Sequence, residues 1–242
     1  MATDQVPYAR AARAHLSKTD PVLARIIKQV GPLKMARRSE RFQALVRAII
    51  FQQLAGAAAN AIYGRFVGLF GDAKFPTPAQ VLAASDADLR KAGLSAKKAL
   101  YVKDLATHVA NDTLNFHRFA RMDDEEIIAD LTRVKGVGRW TAEMFLMFNL
   151  ARADVWPVDD LGVRNAVKLA FRMRERPDAK RLRAMGERWR PYRSAAAWYL
   201  WQSLRLTLPD GRPTKVVSRV KRKPGAKPAP ARKMSRTAKP AK

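Results

Sequence analysis

The chain contains no cysteine, which excludes disulfides, a zinc site built on thiolates and a cysteine-ligated iron–sulfur cluster. Histidine is scarce: His15, His108 and His117 lie far apart, without metal-ligand spacing, and read as ordinary side chains. No run of about eighteen apolar residues occurs, so no segment is expected to span a membrane. The opening residues, MATDQVPYARAARAHL, lack an apolar signal core, and secretion is not expected. Apolar–polar alternation is also missing, so strands are not expected and the fold class should be all-α. Acid is the last shortage. Asp and Glu number 21 against 47 Lys and Arg, a net charge of +26. A balance that far from neutral points to a polyanionic partner.

What is present is helical periodicity with clear punctuation. At 242 residues the chain can bury a sizeable core as one unit or two small lobes. Asp20-Pro21 opens a helix that Gly31-Pro32 stops. Phe42, Leu45, Val46, Ile49 and Ile50 form an apolar stripe ending at Gln52-Gln53-Leu54, and a second helix follows Gly56. Residues 85–112 and 123–150 share one layout of short helix, glycine turn and long helix, a weak internal echo. Ser85 with Asp88, Ser95 and Asp123 read as helix caps. The helix from Ala96 is expected to bury some of Leu100, Val102, Leu105 and Val109. Ser194 is the expected cap of the last helix. Residues 1–210 should therefore form a helical core. Residues 211–242 hold twelve Lys or Arg, five Pro and no acid, and are expected to stay disordered as a basic arm adding salt-sensitive affinity for DNA.

The segment Leu131 to Val163 organises the chain. Val134-Lys135-Gly136-Val137-Gly138 is a turn in which glycines let the backbone approach a ligand and adopt conformations that side chains forbid. A helix opens at Arg139 and presents free N–H groups, an anion site. The acid pair Asp159-Asp160 follows. It would repel phosphate, so it needs another task. Taken alone, an Asp before a helix is most often only a cap.

The pattern from Leu131 to Ala142, followed by Pro157-Val158-Asp159-Asp160, resembles the helix-hairpin-helix (HhH-GPD) DNA glycosylases, most closely the 3-methyladenine DNA glycosylase II branch. The segments RAIIFQQLAGAAANAI, PYRSAAAWYLW and DPVLARIIKQVGP extend the likeness over roughly residues 15–208. The resemblance implies a two-lobed helical fold with a cleft between the lobes and the hairpin at about residues 124–149. It implies the compact, yeast-like form, without the N-terminal β domain of some bacterial relatives. The implied partner is double-stranded DNA with alkylated bases, and the chain is expected to act as a monomer. The implied compartment is the bacterial cytoplasm or nucleoid, or the eukaryotic nucleus.

Residue by residue, the resemblance makes Asp160 catalytic and Asp159 structural. A fixed anion beside C1′ stabilises the sugar cation that forms as an N-glycosidic bond breaks. Trp140 stands where strand-cutting members carry a Lys that attacks the sugar. This implies a monofunctional enzyme that uses water and needs no cofactor. Trp140, Met144 and Trp201 would line the base pocket, where a cationic purine gains from an aromatic face. Met144 replaces a Tyr of a relative. Leu54, with Gln53, would wedge into the gap left by the flipped nucleotide. Backbone amides at Gly136, Gly138 and Thr141 would hold phosphate, with Lys135 and Arg139 adding charge. Carbonyls of Thr132, Val134 and Val137 would hold a structural Na+ or K+. Trp189 and Trp198 are expected in the core.

Two competing readings use the same residues. A non-catalytic helix-hairpin-helix DNA-binding module explains the turn and the charge but has no use for an acid between two aromatics. A glycosylase/lyase of endonuclease III type conflicts with Trp140 and with the missing cysteines.

Overall fold

A computed structural model describes residues 5–37, 40–71 and 75–206. The basic stretch 211–242 lies outside the described residues. Among those described there are twelve α-helices and two short 3-10 turns but no strand, only an isolated bridge between Gln5 and Ala36. No helix among them is long and apolar enough to cross a membrane.

The helices fall into three groups. α3 (Arg41–Phe51), α4 (Gly56–Gly68), α5 (Pro78–Ala83), α6 (Asp86–Lys91) and α7 (Ala96–Ala110) pack together. α1 (Ala9–Thr19) and α2 (Pro21–Val30) pack with α10 (Leu161–Ala170) and α12 (Arg193–Ser203), while α11 (Ala179–Gly186) lies nearby. Between the groups sits the helical hairpin of α8 (Asp124–Thr132) and α9 (Arg139–Phe148), with α9 meeting α3. Apolar side chains of all three groups form one core that includes Leu23, Leu45, Leu105, Leu131, Leu146, Val167 and Leu200. Trp189 and Trp198 lie in it, as expected.

Local chemistry sets most boundaries. The Asp20 carboxylate accepts from the N–H groups of Val22 and Leu23, with Pro21 as the first helical residue of α2. Asp123 and Glu126 form a reciprocal capping box on α8, a device worth about 1 kcal/mol per cap. Ser95 caps α7 through the N–H of Lys98.

Two local expectations are corrected, and a third, on α7, is met by Val102 and Leu105. On α7 the buried face is Ala99, Val102, Leu105 and Ala106, while Leu100 is half exposed because it falls on the opposite side of the helix. Ser194 does not cap α12, which begins one residue earlier after Tyr192. Its hydroxyl is buried, donating to the carbonyl of Arg152 and accepting from the N–H of Val155, so it ties the last helix to the link before Asp160. At α6 only half of the capping box forms: the Ser85 hydroxyl accepts from the Asp88 N–H, while the Asp88 carboxylate bonds that hydroxyl rather than the backbone.

Candidate active site and nucleic-acid interface

Asp160 is the N-cap of α10, its carboxylate accepting the Val163 N–H at 2.6 Å. The cap is only part of its bonding. The same oxygen accepts the Trp201 indole N–H at 2.8 Å, and the other oxygen accepts the Trp140 indole N–H at 2.7 Å. The side chain is buried and lies at the positive end of a helix dipole. A carboxylate has about four acceptor positions. Three are filled by neutral donors, which fixes its direction without neutralising its charge. Asp159, its neighbour, is exposed.

The two tryptophans that hold Asp160 reach it from different elements. Trp201 comes from α12 and stacks on Phe148 of α9, with ring centroids 6.1 Å apart. Trp140, in the first turn of α9, leaves about half of its surface (48%) in solvent. Its ring borders a cleft of about 460 Å³ lined by Ala48, Phe51, Gln52, Gln53, Trp140, Thr141 and Met144. Trp140 and Met144 therefore meet at one cleft, and Trp140 ties that cleft to Asp160. Trp201 is placed against the carboxylate and is not among the cleft-lining residues.

Gln53 lines the cleft, and Leu54 follows it in the chain. They form the turn after α3, with Gln53 at φ +58 and Leu54 more than a third exposed (38%). An exposed leucine on a turn held in the left-handed region is not core packing. Strained backbone of this kind persists where the surroundings enforce it.

Across the cleft, the hairpin turn leads into α9, whose N-cap, Gly138, supplies no side-chain hydrogen bond to the first-turn N–H groups. Those groups near Thr141 are donors for an anion. The two turn glycines play different parts. Gly136 adopts φ +82, and a Cβ there would stand 2.1 Å from the Tyr101 ring. Gly138 has φ −91 and ψ 171, ordinary extended backbone, with nothing within 4 Å of a Cβ. The expectation of forbidden conformations at both glycines therefore holds only for Gly136. At Gly138 the missing side chain leaves open space.

The charged residues of the turn are occupied. The Lys135 N–H donates to Asp104 at 2.8 Å and its ammonium lies 3.2 Å from the same carboxylate. The Arg139 guanidinium bonds Glu125 at 2.8 Å and Glu143 at 3.2 Å. The expected phosphate-directed cations are thus turned toward carboxylates, with Glu143 at i,i+4 spacing from Arg139 and with Asp104 and Glu125 brought in from other helices.

Glu143 is the one buried carboxylate on α9. Burial pushes it up to about 7, against the pull of Arg139, with Asp159 and Glu125 adding to the rise. Its ordinary value is 4.5, so between 4.5 and about 7 the folded chain keeps a proton that the unfolded chain has lost. Its contribution to stability is full below 4.5 and is lost as pH rises through about 7. Glu143→Gln is expected to remove this loss, giving a variant whose melting temperature falls less than wild type between about pH 5 and about pH 8. A steeper fall in the variant would refute the assignment.

A capped carboxylate clamped by two indoles, next to an open aromatic cleft and an uncapped helix entered through a glycine turn, places this fold among helix-hairpin-helix proteins that act on DNA. The chain belongs to the HhH-GPD superfamily of base excision DNA repair proteins, whose family model matches residues 46–191. Among its relatives is DNA-3-methyladenine glycosylase 1 of Schizosaccharomyces pombe, 38% identical over 199 residues, which span 81% of this chain and 87% of that protein. A solved S. pombe 3-methyladenine DNA glycosylase (Mag1), in complex with abasic DNA, superposes with a TM-score of 0.74 at 37% identity, covering 81% of this chain and 98% of that one. A Bacillus halodurans DNA-3-methyladenine glycosidase structure gives a TM-score of 0.71 at 37% identity, covering 78% and 86%.

Proposed function

We propose that this chain is a monofunctional DNA glycosylase that flips alkylated purines, such as 3-methyladenine and 7-methylguanine, out of duplex DNA and hydrolyses their bond to the sugar. The observation that carries the reading is the Asp160 carboxylate, held by three hydrogen bonds beside a cleft walled by Trp140. A DNA-binding module has no use for a buried anion fixed in this way. The names of the relatives point to the same chemistry.

The reaction breaks the bond between C1′ and the base nitrogen, and the electron pair leaves with the base. A water oxygen then bonds C1′ and gives up its proton, leaving an abasic site. Positive charge grows on the sugar before water adds, and Asp160 is the fixed charge that opposes it. Its one remaining acceptor position can orient the water or take its proton. The open face of Trp140 stabilises a cationic base by about 0.5–2 kcal/mol. An alkylated, positively charged purine is already a good leaving group, so Asp160 needs to supply less than for a neutral base.

The remaining roles belong to the same proposal. Met144 packs the cleft and Trp201 holds Asp160. Leu54, beside Gln53, fills the space of the flipped nucleotide. The amides at Gly136, Gly138 and Thr141 hold phosphate, joined by the first-turn N–H of Arg139, while both donors of Lys135 brace the turn against Asp104. The Val134 carbonyl accepts the Val137 N–H, which leaves it a second lone pair. Among the described residues, no turn hydrogen bond ends on the carbonyl of Thr132 or Val137. These are hard oxygen donors that fit Na+ or K+, and such an ion would brace the turn against phosphate. Residues 1–210 act as the catalytic core, and 211–242 as an arm that raises affinity for DNA.

Incubation with methylated duplex DNA, with each released base resolved by chromatography, is expected to yield free alkylpurines and abasic sites. Borohydride is expected to trap no covalent adduct. Release of no base would refute the glycosylase reading, and a trapped adduct would refute hydrolysis.

A further inference from the structure

The turn that carries Leu54 and the turn that faces phosphate are far apart in sequence yet bonded to each other. The Gln52 side-chain amide donates to the Gly136 carbonyl at 2.7 Å, across 84 positions. The Gln52 backbone is held in turn. The Lys98 ammonium donates to the Gln52 carbonyl at 2.8 Å and to the Ile50 carbonyl at 2.7 Å. Lys98 thus closes the C-terminal end of α3, where carbonyls lack helical partners. Two more residues of α7 continue the same line. The Tyr101 ring fills the space over Gly136, and Asp104 accepts the Lys135 N–H. Lys98, Tyr101 and Asp104 lie three residues apart and share one face of α7.

Resting on the glycosylase reading, we propose that Lys98 is a positioning residue for base extrusion, fixing Gln52 and the Gly136 carbonyl so that wedge and phosphate grip keep one spacing. Extrusion requires the wedge to enter the stack while the neighbouring strand is held, so an error in spacing raises the cost of flipping. It does not alter the environment of Asp160, which lies on α10 and is held by α9 and α12. Two of the three Lys98 ammonium donors are taken by these carbonyls, and the salt dependence of binding tells positioning from a phosphate contact.

The test compares single-turnover base release by wild type and Lys98→Met on two duplexes. One carries the alkylated purine fully paired, and the other carries it opposite an abasic site, where it is already unpaired. Lys98→Met is expected to lose about tenfold, equivalent to ~1.4 kcal/mol, on the paired lesion and less than about twofold on the unpaired one. Fluorescence of 2-aminopurine at the flipped position should fall in parallel with the first loss. Equal losses on both duplexes, or none on either, would overturn the proposal. So would a fall of about one in the salt-dependence slope of binding, which would make Lys98 a phosphate contact.

Gln52→Glu supplies a second arm if Lys98→Met melts early. The carboxylate is isosteric but presents an acceptor to the Gly136 carbonyl. Its loss on the paired lesion should shrink as pH falls and the acid regains an O–H to donate, and a loss independent of pH would count against the proposal. Should wild type release no base, the glycosylase reading fails alone, since 2-aminopurine fluorescence still reports whether Lys98 controls extrusion.

Discussion

Asp160→Asn is expected to release base from methylated duplex DNA at least about a hundredfold more slowly than wild type while binding that DNA with similar affinity. The size follows from the contacts. Asn keeps the length of Asp and is an equally good N-cap, so the bond to the Val163 N–H and the start of α10 survive. The amide oxygen can also keep the Trp201 N–H. Its NH2 group must then face Trp140, donor against donor, but Trp140 is half exposed and can turn its N–H to water. Stability should therefore change little. What is lost is the charge, the one property that a developing sugar cation needs and a helix cap does not. Single-turnover release and a binding isotherm on the same duplex decide the matter. Equal loss of binding and release would make Asp160 structural, and full release would remove it from the chemistry.

Gly136→Ala should cost both DNA affinity and stability. The residue sits at φ +82, a conformation that costs a non-glycine residue roughly 1 kcal/mol or more. The added Cβ would also lie 2.1 Å from one carbon of the Tyr101 ring and 2.6 Å from two others, so the ring or the turn must move. Tyr101 belongs to a packed helix face, and the turn carries the Gly136 carbonyl that Gln52 holds. A loss of about 2–3 kcal/mol of stability and at least a tenfold loss in duplex affinity are expected. Gly138→Ala is the control, with extended backbone and open space, and its melting temperature should stay near wild type. If the two variants melted alike, the distinction between the glycines would be wrong.

Much of this was legible in the sequence because it depends on local periodicity and local caps. The α2 boundaries follow from Asp20, Pro21 and Gly31, and the hairpin from a glycine turn between two amphipathic runs. Asp160 was legible as a cap, and its spacing from the hairpin carries the catalytic role proposed for it. The sequence could not show that both tryptophans donate to its oxygens, because that contact joins α9, α10 and α12 across 20 and 41 positions. Asp104 beside Lys135 and Glu125 beside Arg139 were hidden for the same reason, whereas Glu143 lies at the local i,i+4 spacing from Arg139. Ser194 was misread because a buried hydroxyl and a capping hydroxyl look identical in one dimension. Lys98 carried no signal at all, since a lysine in the first turn of an amphipathic helix is usually solvated.

The paired cations of the hairpin have a consequence for how salt should act on this protein. A chain of charge +26 attracts DNA over distances set by counterions, and that attraction weakens as salt is added. At the turn, however, Lys135 and Arg139 already have carboxylate partners, so the phosphate grip proposed above would fall to backbone amides that displace few ions. Capture and grip are therefore separate quantities. On the proposed reading, salt governs how often the protein meets DNA, and the fixed dipoles of one turn govern how it sits once there.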